Sequence, residues 1–227
     1  MHIGWASREN KFGGLEIISY LCSPRKRPTD GLYYNITLKM KKIWIALVKL
    51  CGWKFFIPDR KERPEIAHCV LIMAPHTAVA DYFVGAAVMF AAGTNPRIFI
   101  KKEFFNFITR PLLKKFGAVE VDRGNRKNNL VQRAVDELKN NDDVLVVITP
   151  EGTRKPVKRF KHGFYDIAMQ AGVPIVLGYI DFKEKKAGYG PTMYPSGDYD
   201  ADFAKMIEFF GPIHAKHPEG WSWRSKN

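Results

Sequence analysis

Residues 70–83, VLIMAPHTAVADYF, decide the fold. Five consecutive apolar residues, Val70–Ala74, run without alternation into Pro75 and His76, and Asp81 follows five positions after the histidine. A short continuous apolar run of this kind reads as a strand covered on both faces, as in a parallel sheet. The apolar, alanine-rich stretch from Asp81 to Ala92 then reads as a helix. Strand, polar turn and helix in that order predict a β–α unit.

The same pattern recurs outward from this stretch. AVEV (118–121), VLVVIT (144–149) and VPIVLGYI (173–180) are Val/Ile-rich strand candidates, and RIFI (97–100) is a fifth. Helical patterns lie between them. Asn125–Asn140 places Leu130, Val131, Ala134, Val135 and Leu138 on one stripe. Gly163–Gln170 reads likewise, with Gly172 as its stop. Alternating strands and helices predict an α/β fold with a mainly parallel central sheet flanked by helices.

With 227 residues and 46% hydrophobic content, the chain is expected to form a single domain over 40–227, with its motif-bearing core at about 68–181. Residues 1–39 read as a flexible extension, or as a start placed upstream of Met40, because SPRKRPTDG (23–31) has a linker's composition. The segment from 40 to about 57 reads as a basic amphipathic helix. Its apolar stretch, Ile43–Val48, is flanked by Lys41, Lys42 and Lys49, which suits a membrane surface or core packing. No run reaches the ~18–20 apolar residues of a spanning helix. EFFNFITRPLL (103–113) reads as an apolar helix, lining an acyl groove or packing in the core.

Three scattered cysteines, Cys22, Cys51 and Cys69, provide neither a disulfide framework nor a thiolate metal site, and a reducing cytoplasmic setting is expected. No metal ligand set is expected. The net charge of +13 calls for an anionic partner. A nucleic-acid module would show a fold signature or basic–aromatic interleaving, and neither is present. A phosphate-ester hydrolase, with His76 activating water, would need more carboxylates if it used a metal.

Open α/β sheets bind ligands beyond the carboxyl ends of their strands. The polar residues following the strands are then the chemical ones: Pro75-His76-Thr77, Asp122-Arg123-Gly124 and Pro150-Glu151-Gly152-Thr153-Arg154. In a continuous helix, His76 and Asp81 would stand ~140° apart and ~7.5 Å along the axis. With His76 in the turn ahead of the helix, Asp81 falls in the first turn and reaches back. The carboxylate would then hold one imidazole nitrogen and leave the other as a general base. No GxSxG elbow is present and no cysteine adjoins these segments, so the base would act on a hydroxyl or on water. Arg154 offers a planar fork suited to phosphate, and Gly152 permits close backbone approach.

In order and spacing, these segments resemble the glycerolipid acyltransferases, the 1-acylglycerol-3-phosphate acyltransferases and their relatives. His76-Thr-Ala-Val-Ala-Asp81 matches the family's HxxxxD motif. Lys101–Arg123, closing FGAVEVDR, resembles its second block. Pro150–Arg154 is PEGTR, and Val173–Val176 is the Val-Pro-Ile-Val strand. The resemblance implies that His76 deprotonates an acceptor hydroxyl while Asp81 orients it. Attack on an acyl thioester, acyl-CoA or acyl-carrier protein, would follow without an acyl-enzyme and without a bound cofactor. Lys101, Arg123, Glu151, Gly152, Thr153 and Arg154 would hold the acceptor. The implied partners are a lysophospholipid, first 1-acylglycerol-3-phosphate or alternatively a lyso-aminolipid, and an anionic membrane surface, with no nucleic acid. Attachment would be peripheral, on the cytoplasmic membrane face. Family members often carry asparagine where this chain has Pro75.

Overall fold

The structure is a computed structural model that describes residues 31–115, 117–121 and 130–223. The chain divides into two compact units, residues 1–36 and 37–227. Of the first, only the opening residues of the long helix α1 (Gly31–Leu50) are described.

After α1 come β1 (Lys54–Phe56), β2 (Val70–Met73), α2 (Ala80–Ala91), β3 (Pro96–Lys101), α3 (Thr109–Lys115) and β4 (Ala118–Val121). The order continues with α4 (Leu130–Lys139), β5 (Leu145–Ile148), α5 (Gly163–Ala171), β6 (Ile175–Asp181), β7 (Lys186–Met193) and α6 (Tyr199–Phe210). The seven strands form one sheet in the order β1-β7-β6-β2-β5-β3-β4. All neighbouring pairs are parallel except β6–β7. The fold is therefore the expected α/β architecture, with a mainly parallel sheet flanked by helices.

β2 is central. Val70 pairs with Val146 of β5 on one side and Ile175 of β6 on the other. Its side chains alternate between two apolar layers, which is why the run carries no polar residue. Val70 and Ile72 pack with Val135 and Leu138 of α4, Phe164 of α5 and Phe210 of α6. Cys69 and Leu71 face the opposite layer, with Val84 and Val88 of α2 and Val48 of α1. Gly172 ends α5 as expected, at φ +69°, where a β-carbon would cost about 1–2 kcal/mol.

Four expectations shift. The N-terminal helix occupies Gly31–Leu50 instead of 40–57, because Gly52 at φ +89° and strand β1 end it early. Among its side chains described, from Lys39 onward, Val48 is buried, while Met40, Ile43, Leu47 and Leu50 are exposed. The apolar stretch 103–113 is no continuous helix: a single 3-10 turn at Lys102–Phe104 precedes α3. The strand reading also misses β1, β7 and α6. The β7 sequence KAGYGPTM lacks the Val/Ile content of the others because it pairs antiparallel, beside the short edge strand β1. Helix α6 begins at an Asp198 cap whose side chain accepts the N–H groups of Asp200 and Ala201 at 3.1 and 3.0 Å. Of the expected helix 125–140, Leu130–Lys139 is helical, and 122–129 lie outside the described residues.

Candidate active site

β2 ends at Met73, and the chain turns through the cis Ala74–Pro75 peptide to His76. Helix α2 starts at Ala80, so Asp81 sits in its first turn, as the spacing predicted. The Asp81 side chain reaches back over the turn. Its Oδ2 lies 3.0 Å from His76 Nδ1 and accepts the Thr77 and Ala78 N–H groups, each at 2.9 Å. Three hydrogen bonds on one oxygen hold the imidazole in a single orientation. Asp81 is buried, whereas the His76 side chain keeps 23% of its surface. A carboxylate only accepts, so the Nδ1 facing it carries the proton and Nε2 keeps its lone pair.

Glu151 arrives from the neighbouring strand. β5 is hydrogen-bonded to β2 and runs parallel to it, so its following loop opens on the same edge of the sheet. Glu151 Oε1 accepts the His76 backbone N–H at 2.8 Å. Its other oxygen, Oε2, is buried without a hydrogen-bond partner among the described residues, as is Asp81 Oδ1. Burial, with the Asp81 charge adding to it, pushes the Glu151 carboxyl up to about 7, although the His76 N–H works in the opposite direction. His76 is thus gripped twice, at its ring by Asp81 and at its backbone by Glu151.

The rest of PEGTR frames this grip. Gly152 takes φ +64°, and a β-carbon there would stand 2.7 Å from Lys161 Cε and Nζ. The glycine lets the Lys161 chain cross directly over the loop. The Lys161 backbone N–H donates to the Pro150 carbonyl at 2.8 Å, closing the segment on itself. Thr153 and Arg154 are exposed at the loop's tip. Lys101 is exposed at the carboxyl end of β3, two strands from β2. Arg123 lies outside the described residues, so of the expected site residues the structure joins His76, Asp81, Glu151 and Gly152 in one cluster. Among the described residues no three His, Cys, Asp or Glu side chains are grouped to hold a metal ion.

Two contributors escaped the sequence reading: Lys161, and the segment 217–220 that packs on the Thr77 expected after β2. Lys161 was hidden in the basic run RKPVKRFKH, where any one lysine looks like its neighbours. Thr77 is buried, and its hydroxyl accepts the His217 N–H at 3.1 Å. Gly220 then packs so closely that a β-carbon would stand 3.0 Å from both the Arg154 carbonyl oxygen and Thr77 Cγ2. The segment from His217 to Gly220 therefore touches both motif loops, from a part of the chain that carries no motif.

A family model described as Acyltransferase matches residues 55–179, a span containing His76, Asp81 and the whole PEGTR loop. Among solved structures, the chain is similar to the 1-acyl-sn-glycerophosphate acyltransferase of Thermotoga maritima, with a TM-score of 0.58 and 16% identity, covering 86% of this chain and 84% of that one. At that identity the likeness is one of fold. No curated protein matches the chain.

Proposed function

Because the chain belongs to the acyltransferase family, we propose that it transfers a fatty acyl group from a thioester to the free hydroxyl of a lysophospholipid, with 1-acylglycerol-3-phosphate as the acceptor. The observation that carries this reading is the 3.0 Å contact between His76 Nδ1 and the buried Asp81 carboxylate. It leaves Nε2 of a partly exposed imidazole as the available base.

In the proposed reaction, Nε2 takes the proton of the acceptor hydroxyl as its oxygen attacks the thioester carbonyl carbon. Asp81 stabilises the imidazolium that forms. The tetrahedral intermediate expels the thiolate, which takes the proton back from Nε2. The products are the diacyl lipid and the free thiol carrier, and no acyl-enzyme is formed. Cationic Arg154 and Lys161, on the loop whose Glu151 grips His76, support a phosphate-bearing acceptor. The solved structure with a similar fold is of an enzyme for that acceptor class. The donor is acyl-CoA or acyl-carrier protein, and no bound cofactor takes part.

Attachment would be peripheral, on the cytoplasmic membrane face. Among the described residues no helix is long and apolar enough to cross a membrane. Helix α1 has the surface for lying on one: Met40, Ile43, Leu47 and Leu50 form an exposed apolar stripe at helical spacing, between Lys39, Lys42 and Lys49. Thiol release from acyl-CoA in the presence of 1-acylglycerol-3-phosphate tests the reaction. The expected result is turnover by the wild type, with a loss of at least ~10²-fold in His76→Ala. Near-normal turnover by the variant would sink the mechanism.

A further inference from the structure

The chain between β3 and α3 is built around a small turn with an unusual surface. Asn106 Oδ1 accepts the N–H groups of Ile108 and Thr109 at 3.0 and 2.8 Å. In return, the Asn106 N–H donates to Thr109 Oγ1 at 3.0 Å, while the Thr109 hydroxyl reaches the Phe104 carbonyl. Phe105 is buried and anchors the base of the turn. What this scaffold presents is apolar and uncovered: Phe104 is 60%, Phe107 96% and Ile108 81% exposed. With that exposure, these three side chains do not pack in the core.

We propose that the Phe104–Ile108 turn is a bilayer-inserting tip, a second membrane contact distinct from α1. Two properties select a lipid surface over a protein partner. Lys101, Lys102 and Lys114 flank the turn against the single carboxylate of Glu103, while Arg110 pairs with Glu120 at 3.3 Å. An apolar tip flanked in sequence by lysines matches an anionic headgroup layer over acyl chains. The turn is also braced by its own hydrogen bonds, so its backbone is already ordered before insertion and less backbone freedom is lost on binding.

The location gives the tip a function. β3 is parallel to β5, and β5 to β2, so the tip leaves the same edge of the sheet as His76 and Glu151. β3 stands two strands from β2, or ~10 Å at the usual strand spacing. Insertion of the tip would thus bring the base to the depth at which a lysophospholipid exposes its glycerol hydroxyl. The inference extends the membrane reading of α1, and its test reads binding without acyl transfer.

The test compares wild type, Phe107→Ser/Ile108→Ser and His76→Ala by co-sedimentation with vesicles of phosphatidylcholine alone or with phosphatidylglycerol. Both tip side chains are exposed, so the double variant should melt with the wild type. The proposal expects the double variant to lose at least about 10-fold in partition onto anionic vesicles. It also expects weaker wild-type binding to neutral vesicles, and unchanged binding of His76→Ala. Partition of the double variant within twofold of wild type would overturn the tip and leave α1 as the membrane contact. A wild-type dimer in sedimentation velocity that the double variant abolishes would also overturn it, assigning the tip to a second copy of the chain.

Discussion

Two histidine–aspartate couples stand at the carboxyl ends of adjacent strands, and they are built differently. His76 meets Asp81 after β2, and His214 meets Asp181 at the end of β6, each through Nδ1 and Oδ2 at 3.0 Å. Asp181 also accepts N–H groups from Glu184 and from His214 itself, and those bonds together with the histidine hold its carboxyl below the usual range despite burial. Its job is to tie the chain after α6 onto the end of β6. The first couple differs in what surrounds it. Glu151 grips its backbone, the PEGTR loop stands beside it, and Thr77 and Arg154 are buttressed from behind by Gly220. The pair itself therefore does not define the chemistry; convergence of loops from two parallel strands does.

The largest expected difference between the couples is kinetic. His76→Ala should lose at least ~10²-fold in transfer rate, whereas His214→Ala should stay within about twofold and lose on the order of 1 kcal/mol of stability. Equal rate losses in the two variants would mean that the two couples are functionally equivalent. Initial rates and urea midpoints on the same preparations measure both effects.

The next effect is a loss of stability with rising pH at the Glu151 carboxyl, which grips the first couple. The folded Glu151 carboxyl titrates near 7 against an unfolded value near 4.5, so the folded state holds the extra proton between them. Stability associated with this group is full below about pH 4.5 and declines as pH rises through about 7. Glu151→Gln removes the proton exchange. Relative to wild type, the variant should gain on the order of 2–3 kcal/mol between pH 4.5 and pH 8 in denaturant unfolding. A difference between the two proteins that stays flat with pH would place Glu151 in a more solvated setting.

The smallest effect has the opposite sign and belongs to the second couple. Asp181 titrates below its ordinary value when folded, so its contribution is present above the unfolded value near 3.8 and is lost as pH falls through the lower, folded one. Asp181→Asn should therefore differ from wild type at pH 6 and converge with it in strong acid. A gap that persists unchanged in acid would show the contribution to be packing instead of charge.

Much of this was legible along the chain because burial on two faces leaves a compositional trace. CVLIMA, VLVVIT and VPIVLGYI read as strands buried on both faces, and the polar residues after them were expected to converge at one edge. The spacing of His76 and Asp81 likewise implied a turn followed by a helix. β7 was not legible, since a strand paired antiparallel next to a short edge carries Gly and Pro where the central strands carry Val and Ile. The helix expected over 103–113 was not borne out because Phe104, Phe105, Phe107 and Ile108 look alike along the sequence, whereas only Phe105 of the four is buried in the fold.

Local pattern thus determined the α/β class, the strand ends and the candidate base, because each depends on neighbours within one β–α unit. Tertiary structure alone decided which polar groups meet. Glu151 lies 75 residues from His76 and His217 lies 140 from Thr77, and no periodicity links them. The same holds for the two histidine–aspartate couples. Their geometry is alike, and only the packing of distant segments separates an imidazole gripped by Glu151 beside the PEGTR loop from one that ties the chain after α6 to the end of β6.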